Sequence, residues 1–506
     1  MQLPFPNLFR RFTINPVALR EMRQMSRNKI VSSGLIAFLF IQLAAVMITV
    51  ASESDSGAVS LAAKGVGQNV AMTVCVLLDI VALGAIPLFF AIRLTLEKSA
   101  DNMDLQFATG LKPAQFADGK IAAALVLLLL CASATAPFLM LAYILRGMDA
   151  GETFAIIGSV IFWSALITCF GVFVASLNLP KALRFIIMAG AGAFFMWLSL
   201  DNPLYFPADD LPFVFLKEWD FAWPIGLAIL SLCAVFRSAA AANLAPPHTN
   251  GQLPLRRVIV IVWALWGALA VWWSLKKDEP FVFIWFMFSA FFIGGLFMLA
   301  TVSAQTGPSR RVASEVSPNR WRRRLQYPFF TGSESGVCYA LLLLFLTALT
   351  SFCVMYAHPM KKYFLSNDYH RFVYCMLVWG VCYPAAFMIT MRLIWQWFSH
   401  RFCNRKFVGF FGALWMILAS ILPYLLTMGS DDQAAAAYWH GNIVAAILAM
   451  DHYDLHITSF HAIFSAVWLL IELLCYSPTV LKSFKRFRAN PHTPSLRKSE
   501  AIEAIQ

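Results

Sequence analysis

Long apolar runs alternate with short polar segments along the whole chain. Each run is about as long as the helix that crosses the hydrocarbon core of a bilayer, where no water can satisfy exposed backbone groups. The pattern predicts an all-α, polytopic membrane protein with Ala434–Met450 as an interfacial or re-entrant piece. The twelve predicted spans are Ile30–Val50, Val70–Ile92, Ile121–Leu145, Thr153–Leu177, Phe185–Leu200, Phe221–Ala242, Val258–Leu275, Phe281–Ser303, Val337–Ala357, Phe372–Ile394, Phe407–Met428 and Ile457–Ser477.

Composition supports the same class. Of the 506 residues, 60% are apolar and only 13% are charged, whereas soluble domains carry roughly 25% charged residues. A soluble fold would have to expose much of this apolar surface to water, so a soluble enzyme and a disordered chain are both excluded. A membrane β-barrel is excluded as well, because its strands alternate in polarity.

The distribution of Lys and Arg predicts the orientation in the membrane. Twelve spans place both termini on one side, and 31 of the 39 basic residues fall in segments on that side. Basic loops mark the cytoplasmic face, so both termini are predicted to be cytoplasmic. The net charge of +12 therefore reflects orientation and attraction to anionic lipid rather than binding of nucleic acid. The first run is too long for a cleaved signal peptide and is interpreted as a signal anchor.

These features divide the chain into five regions. An amphipathic cytoplasmic segment comes first, and a six-span region with a long cytoplasmic loop at 94–120 follows it. Two spans and a basic loop come next, then four spans and a basic tail. The boundaries are 1–29, 30–243, 244–336, 337–480 and 481–506.

The segment before the first span has the pattern of a helix lying on the inner membrane surface. Asn15 is a good N-cap, and Pro16 suits the first helical position because its missing donor is not needed there. The apolar side chains are expected to face the bilayer and the arginines to face water and headgroups. The apolar set is Val17, Met22 and Met25, and the basic set is Arg20, Arg23 and Arg27. The same pattern also suits a plain membrane anchor.

The loop between the second and third spans predicts a compact helical element. Span two is expected to continue as a helix through Glu97 and Lys98, and a short amphipathic stretch then ends at Gly110. Pro113 is expected to start a second short helix that ends at Gly119, with Lys120 at the membrane boundary. The apolar residues of this element either dock with a partner or fold back onto the spans. They are Met103, Leu105, Phe107, Leu111 and Phe116.

Two sets of residues at these places carry a resemblance to a known family. The first set is Asn15-Pro-x-x-x-Arg20-Glu21. The second comprises Thr95-x-Glu97-Lys98, Asp104-Leu105, Thr109-Gly-Leu-x-Pro113, Phe116 and Gly119-Lys120. Together they resemble the ABC-2 type permease subunits of ABC transporters. The match covers roughly residues 12–125, and the six-span layout to about residue 243 agrees with it, whereas the second half departs from the family.

The resemblance implies roles for both sets of residues. The first element would be a connecting helix, with Asn15, Pro16, Arg20, Glu21 and Arg23 as its characteristic residues. The second would be a coupling loop that docks into a separate ATP-binding subunit. Its residues would be Glu97, Leu105, Thr109, Gly110, Pro113, Phe116, Gly119 and Lys120. A bacterial inner membrane, a homodimeric or pseudo-dimeric pore and export of the substrate are further implications.

The chain itself shows no motif for ATP hydrolysis. A phosphate-binding loop needs Gly five positions before Gly119 and Ser or Thr after Lys120, but Ala114 and Ile121 occupy those places. The chain is therefore expected to be a transport subunit rather than an enzyme, with no catalytic or metal-binding residue. ATP and Mg²⁺ are expected in the partner subunit.

Other polar residues leave two alternative functions open. Asp79 lies near the middle of span two and must face the bundle interior, either as a gate or in an interhelical hydrogen bond. Glu472 is expected to reach water or Lys482. An ion-coupled secondary transporter would need charged midplane residues in both halves. A membrane-embedded enzyme would use the outer segment Asp451–His456, with His440 and His461 nearby. These are metal-ligand residue types without the spacing of a closed site. The other interpretation of the segment and its nearby histidines is a polar cap at the outer interface.

The second half contains one further basic motif. Ser317–Gln326 reads Ser-Pro-Asn-Arg-Trp-Arg-Arg-Arg-Leu-Gln and is expected to form a short basic helix at the membrane surface before a span. With the basic stretch Trp395–Lys406, it is compatible with a degenerate repeat of the order seen in the first half. An ordinary loop that faces headgroups is the other interpretation.

Overall fold

The structure is a computed structural model in which every described element is helical. Two compact units, residues 1–246 and 247–506, make up the chain. The described residues are 15–55, 64–99, 107, 110–145, 149–177, 181–200, 219–246, 249–277, 285–286, 288–289, 292–293, 295–296, 310–313, 315–357, 381–397, 414–415, 418–419 and 455–487.

The first unit contains a short surface helix followed by long apolar helices. To within one residue, every predicted span of this unit lies within one of these long helices or within the continuous run formed by α3, a π-helix and α4. The helices are α1 Pro16–Ser26, α2 Lys29–Asp55, α3 Lys64–Asp79, the π-helix Ile80–Ala85, α4 Ile86–Ser99, α5 Pro113–Ile144, α6 Ala150–Ser176, α7 Lys181–Leu200 and α8 Trp219–Leu244.

Helix α1 begins as the sequence predicts. The Asn15 side chain accepts a hydrogen bond from the backbone N–H of Val17 at 3.0 Å, and Pro16 occupies the first helical position. The apolar side of α1 does not face lipid, however. Val17, Ala18 and Met25 are buried against other helices of the unit, and α1 packs along α5. The expectation of a bilayer-facing apolar side is therefore wrong for Val17 and Met25.

Span two is a single continuous run in which α3, the π-helix and α4 follow one another directly. A π-helical turn carries an extra residue and leaves carbonyls without their usual partner, which is why such turns are rare. The hydroxyl of Ser164 on α6 donates to the Ala82 carbonyl of this turn at 2.8 Å. The run continues to Ser99, as predicted for Glu97 and Lys98.

Helix α5 differs from its prediction. No short helix ends at Gly119, because α5 runs without interruption from Pro113 to Ile144. A glycine inside a helix costs only about 1 kcal/mol relative to alanine, so Gly119 does not force a break. The second part of the predicted loop is thus the first two turns of span three. Gly110 has φ of 80°, the left-handed conformation expected of the residue that stops a helix.

The second unit has its own helices and its own apolar core. Its helices are α9 Gln252–Lys277, α10 Arg310–Ala313, α11 Arg320–Gln326, a 3₁₀ turn Tyr327–Phe329, α12 Ser333–Ala357, α13 Tyr383–Trp397 and α14 Leu455–Arg486. Side chains of α9, α12, α13 and α14 form the core, including Ile259, Ala340, Ile389 and Tyr476.

A buried arginine, Arg256, contacts the segment between the 3₁₀ turn and the start of α12. Arg256 of α9 donates to the Phe330 carbonyl at 2.8 Å and to the Ser335 hydroxyl at 3.2 Å. Nearby, Arg392 of α13 donates to the Ser333 hydroxyl at 2.8 Å and lies 3.6 Å from Glu334. These contacts fix the point where the chain enters α12.

The described residues establish a multi-pass membrane protein. Eight helices within them are long and apolar enough to cross a bilayer, and shorter apolar helices occur at Ala182–Phe194 and Ala385–Ile394. The predicted span Phe407–Met428 and the piece Ala434–Met450 lie largely or wholly outside the described residues, as does most of Phe281–Ser303. The total of twelve spans therefore stays a prediction.

Candidate functional site

The two sequence elements that carry the family resemblance meet where α1 lies on the start of α5. The amide nitrogen of Asn15 donates to the Gln115 carbonyl at 2.5 Å. Gly119 lies directly against Val17, and an added Cβ at this position would come within 2.6 Å of the Val17 Cβ and 2.9 Å of the Ala18 nitrogen. Only glycine permits this close approach of the two helices.

A buried lysine forms the centre of the site. Lys120 has no exposed surface, and its ammonium lies 2.8 Å from Glu21 Oε1 and 2.7 Å from Glu97 Oε1. Glu21 comes from α1, Glu97 from the last turn of α4 and Lys120 from α5. One cation therefore joins α1 to the consecutive helices α4 and α5.

Two arginines complete this charge cluster, which we call the Lys120 cluster: Arg20, Glu21, Arg93, Glu97 and Lys120. Arg93 lies 3.2 Å from the second oxygen of Glu21, and Arg20 lies 3.4 Å from Glu21 Oε1. Three positive and two negative groups thus meet at one point. Buried ion pairs of this kind are costly to desolvate and are strongly destabilising when one partner alone is removed.

The environment of Glu21 favours its charged form. Burial by itself disfavours the carboxylate, but Lys120, Arg93 and Arg20 together outweigh this and hold the pKa of Glu21 below its ordinary value of 4.5. A carboxyl with a lowered pKa in the folded state stabilises the protein above its unfolded pKa. This stabilisation is complete above about pH 4.5 and is lost as the pH falls through the lowered value.

We expect the contact of α1 with α5 to loosen in acid because of Glu21. Amide hydrogen exchange of α1, corrected for the intrinsic pH dependence, should accelerate as the pH falls below 4.5. Glu21→Gln should flatten this dependence, and Glu315→Gln at an exposed position should leave it unchanged. Identical pH profiles for the wild type and Glu21→Gln would contradict the assignment.

Two further polar contacts join helices of the first unit. Lys98 donates to the carbonyl of Ser176 at the end of α6. Arg237 of α8 forms a bidentate pair with Asp118 of α5, with 2.6 Å between Nη2 and Oδ2. The start of α5 is therefore fixed from two sides, by α1 and α8.

The predicted apolar face of the loop is largely used within the chain. Phe116 is only 1% exposed and packs among Val17, Leu94 and neighbouring side chains. Phe107 and Leu111 are partly buried against the same cluster. Of the two alternatives left open by the sequence, Phe116 follows the second, in which the apolar residues fold back onto the spans. Met103, Leu105 and Thr109 lie outside the described residues.

Asp79 lies inside the bundle, as its position in span two predicts. It is the last residue of α3, directly before the π-helix, and is 1% exposed. Asp79 also interacts with other groups of the protein. A buried acidic residue beside a π-helical turn is a feature often found at functional positions.

Two expectations about the last span require correction. Glu472 does not reach water or Lys482: it is 6% exposed and accepts a hydrogen bond from the Trp468 indole at 2.8 Å. His461 is not part of an outer polar cap, since it is 1% exposed and its Nδ1 lies 2.8 Å from the Tyr383 hydroxyl. Aromatic side chains surround this pair.

Most of the other candidate metal ligands are not among the described residues. His440 and Asp451–Asp454 lie outside the described residues. Within the described part of the chain, no group of three or more His, Cys, Asp and Glu residues could hold a metal ion.

Sequence reasoning identified Glu21, Glu97 and Lys120 separately, but did not bring them together. It also missed Arg93, Asp118 and Arg237. The spacing of Arg93 four residues before Glu97 was an available signal, because such positions lie on the same side of a helix. Nothing in the sequence pairs Asp118 with Arg237, which is 119 positions away.

Comparison with known proteins adds no name to this site, since no family model, curated protein or solved structure matches the chain.

Proposed function

We propose that the chain is the membrane-spanning permease subunit of an ATP-driven transporter of the ABC-2 type. It would be an exporter in a bacterial inner membrane, with ATP hydrolysis in a separate subunit. The loop between α4 and α5 would be the docking element, and α1 would brace it. Two copies, or a pseudo-dimeric arrangement, would surround the transport path.

The observation that carries this proposal is the convergence of its motifs on one cation. Glu21 belongs to the Asn-Pro-x-x-x-Arg-Glu motif, Glu97 to the Thr-x-Glu-Lys motif and Lys120 to the Gly-Lys motif. Residues that resemble a family at three separate places in the sequence thus form a single buried cluster with distances of 2.7 and 2.8 Å. A chance resemblance would not require the three motifs to meet.

The geometry supports a mechanical role for the cluster. Helices α1, α4 and α5 are joined at the base of the loop, so a force on the loop acts on all three together. Helix α5 is 32 residues long and runs from Pro113, seven residues before Lys120, to Ile144. Movement at the loop is therefore transmitted along α5 into the bundle, as a packed interior resists gradual deformation.

The surface that would meet the ATP-binding subunit lies outside the Lys120 cluster. Gly110, Lys112 and Gln115 are exposed at the turn before α5 and on its first turn, whereas Phe116 faces inward. Phe116 is thus a support beneath the proposed docking surface. A substitution there would test folding rather than docking.

Co-purification from native membranes tests the proposal. The affinity-tagged full chain should retain an ATP-binding protein and ATPase activity. Leu105→Asp and Lys112→Glu, both in the loop, should each reduce the retained ATP-binding protein by about an order of magnitude because they alter the proposed docking surface. Leu481→Asp is the matched control for Leu105→Asp, since Leu481 is 56% exposed and lies in the second unit.

Two results would reject the proposal. One is the absence of any ATP-binding protein after chemical cross-linking in the membrane. The other is equal retention by the wild type and both loop variants, each with unchanged thermal stability.

A further inference from the structure

The surface of the second unit contains a short helix that makes no use of its own apolar side chains. Helix α11, Arg320–Gln326, has no buried residue. Trp321 and Leu325 are each 73% exposed. They are four residues apart, so they lie on the same side of the helix and form one apolar stripe. Large apolar side chains exposed together indicate a binding surface.

Arginines lie on both sides of this stripe. At 100° per residue, Arg320 and Arg324 flank it on one side and Arg322 on the other. All three are exposed, and the Arg324 guanidinium lies 5.3 Å from the centre of the Trp321 ring. An apolar strip between cationic borders is the pattern of a helix that lies in a membrane interface, with its rings among acyl chains and its cations on phosphates.

The position of α11 is fixed at the level of the span ends. Asn319 caps its start by accepting from the Trp321 N–H at 3.0 Å. The following 3₁₀ turn is held by the Tyr327 hydroxyl, which is 3.2 Å from the Ser483 hydroxyl near the end of α14. Span α12 begins only seven residues after α11 ends. The helix is therefore held where headgroups of a surrounding bilayer lie.

We propose that α11 is a binding site for anionic phospholipid headgroups. The occupant is the bilayer in which the protein sits, and charge complementarity selects its anionic lipids. Each Arg contributes charge attraction to the phosphates, and Trp321 and Leu325 enter the boundary between headgroups and acyl chains. This interaction is independent of the proposed transport function, because α11 lies in the other unit.

Hydrogen exchange of the full-length protein in nanodiscs tests the site. Amides of α11 should be more protected in equal parts phosphatidylcholine and phosphatidylglycerol than in phosphatidylcholine alone. Each headgroup-bound arginine should contribute about fivefold to the difference in amide protection between the two lipid mixtures. Arg322→Gln/Arg324→Gln should abolish most of it, and high salt should weaken it in the wild type. Lys276→Gln/Lys277→Gln is the charge-matched control, because it also removes two positive charges but at the C-terminal end of α9.

Equal protection of α11 in both lipid mixtures would overturn the proposal. So would a lipid-dependent difference that both double variants retain. If the arginine variant lowers thermal stability, the wild-type salt dependence decides: protection that persists at high salt overturns the site. A rise in protection on adding RNA to phosphatidylcholine nanodiscs, without any response to phosphatidylglycerol, would assign the surface to nucleic acid instead.

Discussion

Replacing Lys120 by methionine should lower the free energy of unfolding by about 3–5 kcal/mol, because it removes the completely buried cation between the carboxylates of Glu21 and Glu97. Lys120 is completely buried, and both Glu21 and Glu97 lie within 2.8 Å of its ammonium. Titration with sodium dodecyl sulfate in mixed micelles measures the change. Lys112 is exposed and directly precedes α5. Lys112→Met should therefore change the free energy of unfolding by no more than about 0.5 kcal/mol.

The combined variant Glu21→Gln/Glu97→Gln/Lys120→Met separates the charge from the packing. The variant removes both carboxylates together with the buried cation and leaves Arg20 and Arg93, whose side chains are 40% and 20% exposed and can reach water. Removing buried partners together costs much less than removing one of them alone. We therefore expect the triple variant to recover most of the stability that Lys120→Met loses. Equal losses in Lys120→Met and Lys112→Met would mean that the cluster contributes nothing to stability.

Gly119→Ala should separate α1 from α5 and cost about 1–3 kcal/mol, the usual penalty for overpacking. The new Cβ would lie 2.6 Å from the Val17 Cβ and 2.9 Å from a backbone nitrogen, and the backbone cannot move aside without shifting α1. Val17→Ala should not rescue the variant, because alanine keeps the Cβ that clashes. Unfolding in mixed micelles and hydrogen exchange of α1 measure the two consequences.

Gly34→Ala is the control for this substitution. Gly34 is also helical, but a Cβ there meets nothing within 4 Å. We expect it to be neutral or slightly stabilising, since alanine is the better helix former. If Gly119→Ala were as stable as Gly34→Ala, with unchanged exchange in α1, the close contact of the two helices would be refuted.

The two substitutions act on the same contact by different physics. Lys120 supplies the attraction between α1 and α5, and Gly119 supplies the space for it. Adjacent positions on α5 thus explain why the short Gly-Lys pair occurs at the start of this span. It has the appearance of a fragment of a phosphate-binding loop, but in the structure it is a helix-packing site.

The membrane-spanning helices were predictable in detail for the first unit. Bilayer thickness and the lack of water demand helices of a certain length, and this constraint acts on each segment separately. Local caps were equally accessible, as the hydrogen bond from Val17 to Asn15 shows. The end of a helix at Gly119 was predicted wrongly, because packing of α1 onto this glycine favours a continuous α5 over the local tendency to stop.

Burial of side chains was less accessible. Met25 and Phe116 look like residues for lipid or for a partner when only their own segments are considered, yet both pack inside the first unit. The same holds for Glu472, whose sequence position near a span end suggested water. Side chains of other helices cover Met25 and Phe116. Glu472 is paired with Trp468, one turn earlier on the same helix.

The sequence by itself determined that this protein is helical, crosses the membrane several times and has a capped amphipathic helix before its first span, because these properties follow from hydropathy and hydrogen bonding within single segments. Only the tertiary structure decided that Glu21, Glu97 and Lys120 form one buried cluster. Lys120 is 23 residues from Glu97 and 99 from Glu21, and contacts over such distances depend on how the helices pack rather than on any local pattern.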